Sequence, residues 1–416
     1  MEPLHTVFGY DPSFGTHRGV ARAARLRHTA IFGATGVGKS TLLLNLIAQD
    51  LWRGDGVAVI DPHGPLVECA LDLVPRTRHN HVCLLDFTDL EFPVGLNLVE
   101  NVHRDDREAL VDSTLAGMRA IWLEIGWGAQ LEEILRHALM ALIEAPNTSI
   151  VLLPRLLVDS EFRARILAHT RHPLTRSFFE QRFNTWNEKF LHERSQPVIN
   201  KIDAFLFTAA VRNTLGQSPS TLDLDRMLQR PRVVLANLAK GRLGETSAHL
   251  MGALLISRFK AAAYKRSGAE DHDWHLYVDE AQNFKTEDLA SLLQEARKFG
   301  VSVTVSTQHT AGLSNTVRAA LIGNAGTLIS FRIGPEDAEI VAPQFNRLHQ
   351  HFAPAALQEL GVGEAFIRVA GDDTHPIQTW SEPERTGNAE TVRKQSRRHF
   401  GRSRSIVEQQ ILCALN

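Results

Sequence analysis

Apolar residues run in short unbroken blocks over the first part of the chain. His28-Thr29-Ala30-Ile31-Phe32, Gly56-Val57-Ala58-Val59-Ile60 and Val82-Cys83-Leu84-Leu85-Asp86 are too short for helices and read as buried strands. Between the first two, residues 40–48 carry leucines at 42, 43, 44 and 46 and read as a helix. Strands alternating with helices predict a mostly parallel sheet covered on both faces.

From about residue 104 to 228 the texture changes. Leu131, Ile134, Leu135, Ala138 and Leu139 recur at helical spacing, and so do Phe178, Phe179, Phe183 and Trp186. Helix packing explains these stripes, and Trp122 and Trp127 with them, better than a base-stacking surface does. Strand character returns at Arg232-Val233-Val234-Leu235-Ala236-Asn237-Leu238, Trp274-His275-Leu276-Tyr277-Val278, Val301-Ser302-Val303-Thr304-Val305-Ser306 and Thr327-Leu328-Ile329-Ser330-Phe331. A last pair is expected over 365–369 and 377–380. The predicted organisation is an α/β core in two parts, 1–104 and 229–385. An all-helical insertion covers 105–228, and a basic helical tail covers 386–416.

At 416 residues the chain exceeds one ordinary core. Its net charge of −2 means that any nucleic-acid contact needs a local basic surface. Arg393, Lys394, Arg397, Arg398, Arg402 and Arg404 in the tail are open to two readings, a solvated helix end or such a contact. Cys69, Cys83 and Cys413 show neither zinc-ligand spacing nor a disulfide framework. No apolar run reaches the roughly 20 residues that a bilayer requires, and the N-terminal residues lack a secretion-signal pattern. These features point to the cytoplasm, with any membrane contact made through a partner.

The chemistry concentrates at Gly33-Ala34-Thr35-Gly36-Val37-Gly38-Lys39-Ser40-Thr41, which fits G-x-x-x-x-G-K-S, the P-loop. Its glycines let backbone N–H groups wrap phosphates, and the following helix adds its positive end. Lys39 is expected on the β- and γ-phosphates, and Ser40 on Mg²⁺. A strand before the motif and a leucine-rich helix after it supply the right context. Such a loop needs a carboxylate at a nearby strand end. Asp279 fits as the second metal group, and Glu280 as the base that takes a proton from the attacking water. Gln308, at the end of the next strand, is placed to sense the γ-phosphate. Arg297 is the leading candidate for a charge-stabilising arginine, with Arg332 and Arg318 in reserve.

Asp61-Pro62-His63-Gly64 and Asn200-Lys201-Ile202-Asp203 imitate the DxxG and NKxD boxes of a GTPase. The second lies inside the helical stretch rather than after a buried strand, which argues against a guanine site. Asp279-Glu280 sits instead where an additional-strand ATPase carries its catalytic pair.

Several segments together resemble the conjugative type IV secretion coupling ATPases (TraD/TraG type) of the FtsK/HerA class. They are His28-Thr29-Ala30-Ile31, Val59-Ile60-Asp61-Pro62-His63-Gly64, Phe92-Pro93-Val94-Gly95-Leu96-Asn97, Asn237-Leu238-Ala239-Lys240-Gly241, Asp279-Glu280-Ala281-Gln282, Ala296-Arg297-Lys298-Phe299-Gly300 and Ser306-Thr307-Gln308. The resemblance implies a RecA-like core with ATP and Mg²⁺ as cofactors, and a homo-hexameric ring that moves single- or double-stranded DNA. It implies that Arg297 acts on a neighbouring subunit. A relaxase or a membrane anchor would be a partner. Asp61 reads either as the turn that opens a helix or as a catalytic group, and Asn97 as a loop cap or a site residue. Typical coupling proteins carry transmembrane helices before the motor, and none is seen here. That departure leaves room for a soluble HerA-like or phage-type DNA-processing motor. The alternative of another class is a nucleotide-gated switch.

Overall fold

A computed structural model describes residues 5–100, 102–122, 126–267, 272–346 and 351–416. The chain divides into two compact units. One comprises Met1–Leu84, Asp225–Leu238 and Ala262–Ser396, the other Leu85–Leu224, Ala239–Ala261 and Arg397–Asn416.

The first unit is built on a sheet. Its strands are β1 (Thr6–Tyr10), β2 (His17–Val20), β3 (Thr29–Phe32), β4 (Gly56–Asp61), β5 (Val82–Asp86), β6 (Val233–Asn237), β7 (Trp274–Val278), β8 (Val301–Thr307), β9 (Thr327–Ser330), β10 (Glu364–Val369) and β11 (Thr374–Gln378). They lie in the order β2-β1-β11-β10-β9-β3-β8-β7-β4-β6-β5. From β9 to β6 the pairing is parallel. β10, β11, β1 and β2 extend the sheet antiparallel. β8 separates β3 from β7, which is the additional-strand order expected from the sequence. β3, β4, β7, β8 and β9 are buried along their whole length, which explains their continuous apolar runs. The sequence pattern assigns no strand to residues 6–20. Gly9 and Gly19 interrupt the apolar run there, and of β2 only Val20 is buried.

The helix Lys39–Arg53 covers this sheet. Its Leu42, Leu43, Leu46 and Ile47 belong to one buried cluster with Val57, Val59, Tyr277, Ile329 and Phe331. Beneath them lies a polar knot. The guanidinium of Arg25, buried completely, donates to Thr29 Oγ1 (3.2 Å), Ser302 Oγ (3.1 Å), Thr304 Oγ1 (2.9 Å) and Tyr277 OH (3.0 Å). It also meets Asp50 Oδ2 at 3.4 Å, and Tyr277 donates to the same carboxylate.

The second unit is helical. The stripe of Leu131, Ile134, Leu135, Ala138 and Leu139 is the buried face of the helix Ala129–Glu144. Phe178, Phe179 and Phe183 are buried with ring centroids 5.2–5.8 Å apart. Trp122 is buried and Trp127 donates to Glu132 at 2.7 Å. These aromatics are packing groups. Asn97 is a buried loop cap: it donates to Thr148 O (2.8 Å) and accepts from Val99 N–H (3.0 Å).

The tail forms two helices, Ala389–Phe400 and Arg404–Leu415. Arg393 meets Glu68 at 2.7 Å, Arg397 meets Asp89 at 2.7 Å and Arg404 meets Glu408 at 2.8 Å. Much of its basic charge is therefore spent on carboxylates of the same chain. No helix among the described residues is long and apolar enough to cross a membrane.

His28 supplies a test of this core. It precedes β3 with φ +68°, and its Nδ1 accepts the Val303 N–H at 3.0 Å. Burial, aided by the charges of Arg25 and Arg297, lowers its pKa to about 4. The unfolded chain takes up a proton near pH 6.5, which the folded chain refuses until pH 4. Stability conferred by neutral His28 is full above pH 6.5 and is lost as pH falls through 4, about 3 kcal/mol in all. His28→Asn tolerates the left-handed backbone and keeps an acceptor near Nδ1. Urea unfolding from pH 7 to 4 is expected to show a shallower loss for this variant than for the parent chain.

Candidate functional site

The parallel strands end at one edge of the sheet, and the candidate groups gather there. Registers pair Phe32 with Thr307 and Ile60 with Val278. The residues that follow each strand therefore emerge side by side: the P-loop after β3, Asp279-Glu280 after β7 and Gln308 after β8.

The P-loop turns on left-handed glycines, Gly36 at φ +77° and Gly38 at φ +119°. A Cβ on Gly38 would lie 3.2 Å from the Phe331 ring, whereas one on Gly36 would meet nothing within 4 Å. Gly38 caps the helix Lys39–Arg53 without a side-chain hydrogen bond, so that no side chain occupies the positive helix end. Ser40 stands exposed in the first turn. Lys39 is buried and donates to Gly33 O (2.7 Å) and Ala34 O (2.9 Å). Its Nζ is 3.8 Å from Glu280 Oε1. Burial lowers the Lys39 pKa, and Glu280 and Asp279 oppose that shift.

Asp279 accepts a hydrogen bond from Ser306 Oγ. Burial raises its pKa to about 6 against that bond, with Glu280 and Asp61 pushing the same way. Glu280 has φ +48° and is held on both carboxylate oxygens. Gln308 Nε2 donates to Oε1 at 2.8 Å, and Gln282 Nε2 donates to Oε2. Thr35 Oγ1 donates in turn to Gln308 Oε1 at 3.1 Å. An unbroken side-chain path thus runs from the P-loop through Gln308 to Glu280. Thr307 fixes Gln282 by donating to its Oε1 at 2.8 Å.

The structure therefore brings Thr35, Lys39, Asp279, Glu280 and Gln308 together. Arg297 lies elsewhere. It is exposed in the turn before β8, at the opposite edge of the sheet. β8 has 7 residues, which places this edge about 23 Å from the P-loop edge at ~3.3 Å per residue. Arg332 is exposed next to the loop, its carbonyl accepting the Ala34 N–H at 2.8 Å. Arg318 lies on the helix Asn315–Asn324 and donates to Asn315 at 2.9 Å. Asp61 accepts the N–H groups of His63 (2.8 Å) and Val67 (3.1 Å), so its carboxylate closes the turn that opens the helix Pro65–Leu71. Asn200, Lys201, Ile202 and Asp203 stand within the helix Glu188–Leu206. Successive side chains there point about 100° apart, which is no geometry for reading a guanine edge.

Two groups of the site escaped the sequence reading, Gln282 and Ser306. Ser306 was legible in principle, because it lies two residues before Gln308 and alternate strand residues share a face. Gln282 carried no comparable signal. It follows the strand, and only the fold of the next turn aims it back at Glu280.

Over residues 22–120 the chain matches a family model described as the central domain of helicase HerA. It is 23% identical over 351 residues to the DNA double-strand break repair helicase HerA of Saccharolobus solfataricus, covering 82% of this chain and 61% of that protein. The chain thus spans less than two thirds of that relative. Among solved structures it is similar to the plasmid coupling protein TrwB in complex with ADP and Mg²⁺, with a TM-score of 0.66, 16% identity and 89% of both chains covered. It is also similar to VirB4 of Thermoanaerobacter pseudethanolicus, with a TM-score of 0.63, 16% identity and 92% and 98% covered. The fold is thus the P-loop ATPase fold of TrwB and VirB4, the class expected from the sequence.

The two left-handed glycines should respond differently to a side chain. Gly36→Ala meets only the backbone penalty, about 1–2 kcal/mol. Gly38→Ala adds the collision with Phe331 and is expected to cost about 1–2 kcal/mol more. Urea denaturation of the two variants without nucleotide measures the difference.

Proposed function

We propose that this chain is an ATP-hydrolysing DNA motor of the conjugative-coupling and HerA type. The observation that carries the reading is the connected set Thr35–Gln308–Glu280–Lys39 at the mouth of an uncapped P-loop helix. The donor set suits Mg²⁺-ATP: an open loop of N–H groups and a lysine for phosphates, and a hydroxyl and buried carboxylates for the metal.

Mg²⁺-ATP, when bound, supplies the phosphoanhydride to be cleaved and neutralises charge on its phosphates. Residues 33–41 hold the phosphates, with Lys39 leaving its two carbonyl partners for the β- and γ-oxygens. Ser40 and Asp279 would hold the metal, whose charge would offset the burial and the neighbouring carboxylates that raise the Asp279 pKa. Glu280 orients water and takes its proton at a carboxylate oxygen. Gln308 reports the state of the loop to Glu280 through Thr35. Arg297, out of reach of its own P-loop, completes the site of the next subunit in a homo-oligomer, a hexameric ring in this reading.

The ring would act on single- or double-stranded DNA, with the α/β unit as motor and the helical unit as accessory domain. A relaxase or a membrane-anchoring protein would direct it, from a cytoplasmic position peripheral to the inner membrane. The match to HerA supports a second reading of the biology, a DNA-processing motor independent of conjugation. The site chemistry is the same in both.

Glu280→Gln is expected to lower ATP hydrolysis about 10²- to 10⁴-fold while ATP binding persists. Lys39→Ala is expected to lose both. Full hydrolysis in Glu280→Gln, or no hydrolysis by the parent chain with any DNA, would sink the motor reading. Arg297→Ala and Lys39→Ala subunits, each inactive alone, should recover part of the activity when mixed, because mixed neighbours can assemble one intact site. Steady-state hydrolysis across mixing ratios reads this out, and a flat, inactive profile would remove Arg297 from the role.

A further inference from the structure

A second feature of the α/β unit lies well away from the P-loop. A cavity of about 680 Å³ opens where the helix Lys39–Arg53 ends, with Trp52, Arg76, Arg78, His81, Pro231 and Asn388 on its walls. The helix has 15 residues, so at ~1.5 Å per residue the cavity is about 20 Å from the phosphate loop. Its volume is in the range of small-molecule and cofactor sites.

The lining residues include no carboxylate. Arg78 is buried at 6% exposure, and its guanidinium donates only to backbone carbonyls, Leu51 O at 3.1 Å and Pro231 O at 2.7 Å. Burial lowers its pKa to about 10, and Asp55 acts on it only through space. That carboxylate is already taken by Arg53 at 2.9 Å. A buried cation without a bonded anion is costly, and here it faces a cavity. More positive charge surrounds it. Arg232 and Arg78 both bear on His81, whose pKa is lowered first by burial and then by them. Arg232 is itself crowded by Arg230 and Arg226. The side chains of Arg76, Arg230 and Arg232 make no hydrogen bond or ion pair among the described residues. At the rim stands Trp52, 69% exposed.

We propose that this cavity binds a segment of single-stranded DNA, with one base stacked on Trp52 and the flanking phosphates on Arg76, Arg78 and Arg232. The anion chemistry follows from the lining alone, and the choice of DNA rests on the motor reading. A concave site with an exposed indole suits a base of a single strand, because within a duplex both faces of a base are covered by stacked neighbours. The arginines extend past the cavity to Arg230, which exceeds what a single phosphate needs.

The test uses the full chain without nucleotide. A fluorescein-labelled 15-mer of thymidylate, the matching duplex and unlabelled dTMP serve as probes, read by anisotropy. Trp52→Ala is expected to weaken single-strand binding about 5- to 150-fold, from ~1–3 kcal/mol of stacking, and to leave the duplex unchanged. Arg76→Gln with Arg232→Gln should weaken it further and reduce the salt slope by about 1.4, at ~0.7 per phosphate. DNA-free hydrolysis should stay at the parent level in all three substitutions, which confirms the fold. Unaltered single-strand affinity in these variants overturns the proposal. So does displacement of the 15-mer by dTMP at equal nucleotide concentration, which would make this a small-ligand site, or equal weakening of the duplex. Failure of the motor reading looks different: single-strand binding is lost in the variants, yet no DNA stimulates hydrolysis in the parent chain.

Discussion

The Arg25 guanidinium, out of reach of water, is the fastening on which the α/β unit depends. It ties Thr29 of β3, Ser302 and Thr304 of β8, Tyr277 of β7 and Asp50 of the P-loop helix into one knot. Removing Asp50 from this buried pair leaves the Arg25 charge uncompensated, at about 3–5 kcal/mol, whereas Asp50 without Arg25 still keeps Arg53. The knot lies at the far end of the helix from the P-loop. It fixes where the helix lies on the sheet, and hence where Gly38 and Lys39 stand relative to Asp279, two residues past Tyr277.

The candidate site is, by contrast, left electrostatically unfinished. Asp279 and Glu280 crowd one buried lysine, Asp61 adds to the repulsion on Asp279, and Lys39 itself is turned onto the carbonyls of Gly33 and Ala34. Hydrogen bonds from Ser306, Gln282 and Gln308 hold the carboxylates of Asp279 and Glu280. On the proposed reading, a divalent cation would relieve the repulsion on Asp279. The amides of Gln282 and Gln308 also bind Glu280 on both oxygens, so on the proposed reading one of them must release it before it takes a proton from water.

Most of this was legible in the residues. Central parallel strands are buried on both faces, so β3, β4, β7, β8 and β9 announce themselves as apolar runs. The P-loop is contiguous and its glycines are dictated by local backbone geometry, which makes it readable without the fold. The helical stripes were legible for the same reason. β1 and β2 were not, because both are short and glycines break their pattern. Gln282 was hidden because its role arises from a turn. The tail showed its charge and its helical character, but not its contacts. Its partners Glu68, Asp89 and Glu408 are distant or unremarkable in sequence, so contact rather than composition decides how much of that charge is free.

One consequence follows from where Arg297 sits. The phosphate loop and this arginine occupy opposite edges of one sheet, so on the proposed reading each subunit carries two unlike halves of a site. In a ring, head-to-tail stacking joins the halves, and such a contact does not satisfy itself: it repeats until the rotation closes. Closure is then a condition of full occupancy, and an open stack always keeps one idle site at its end.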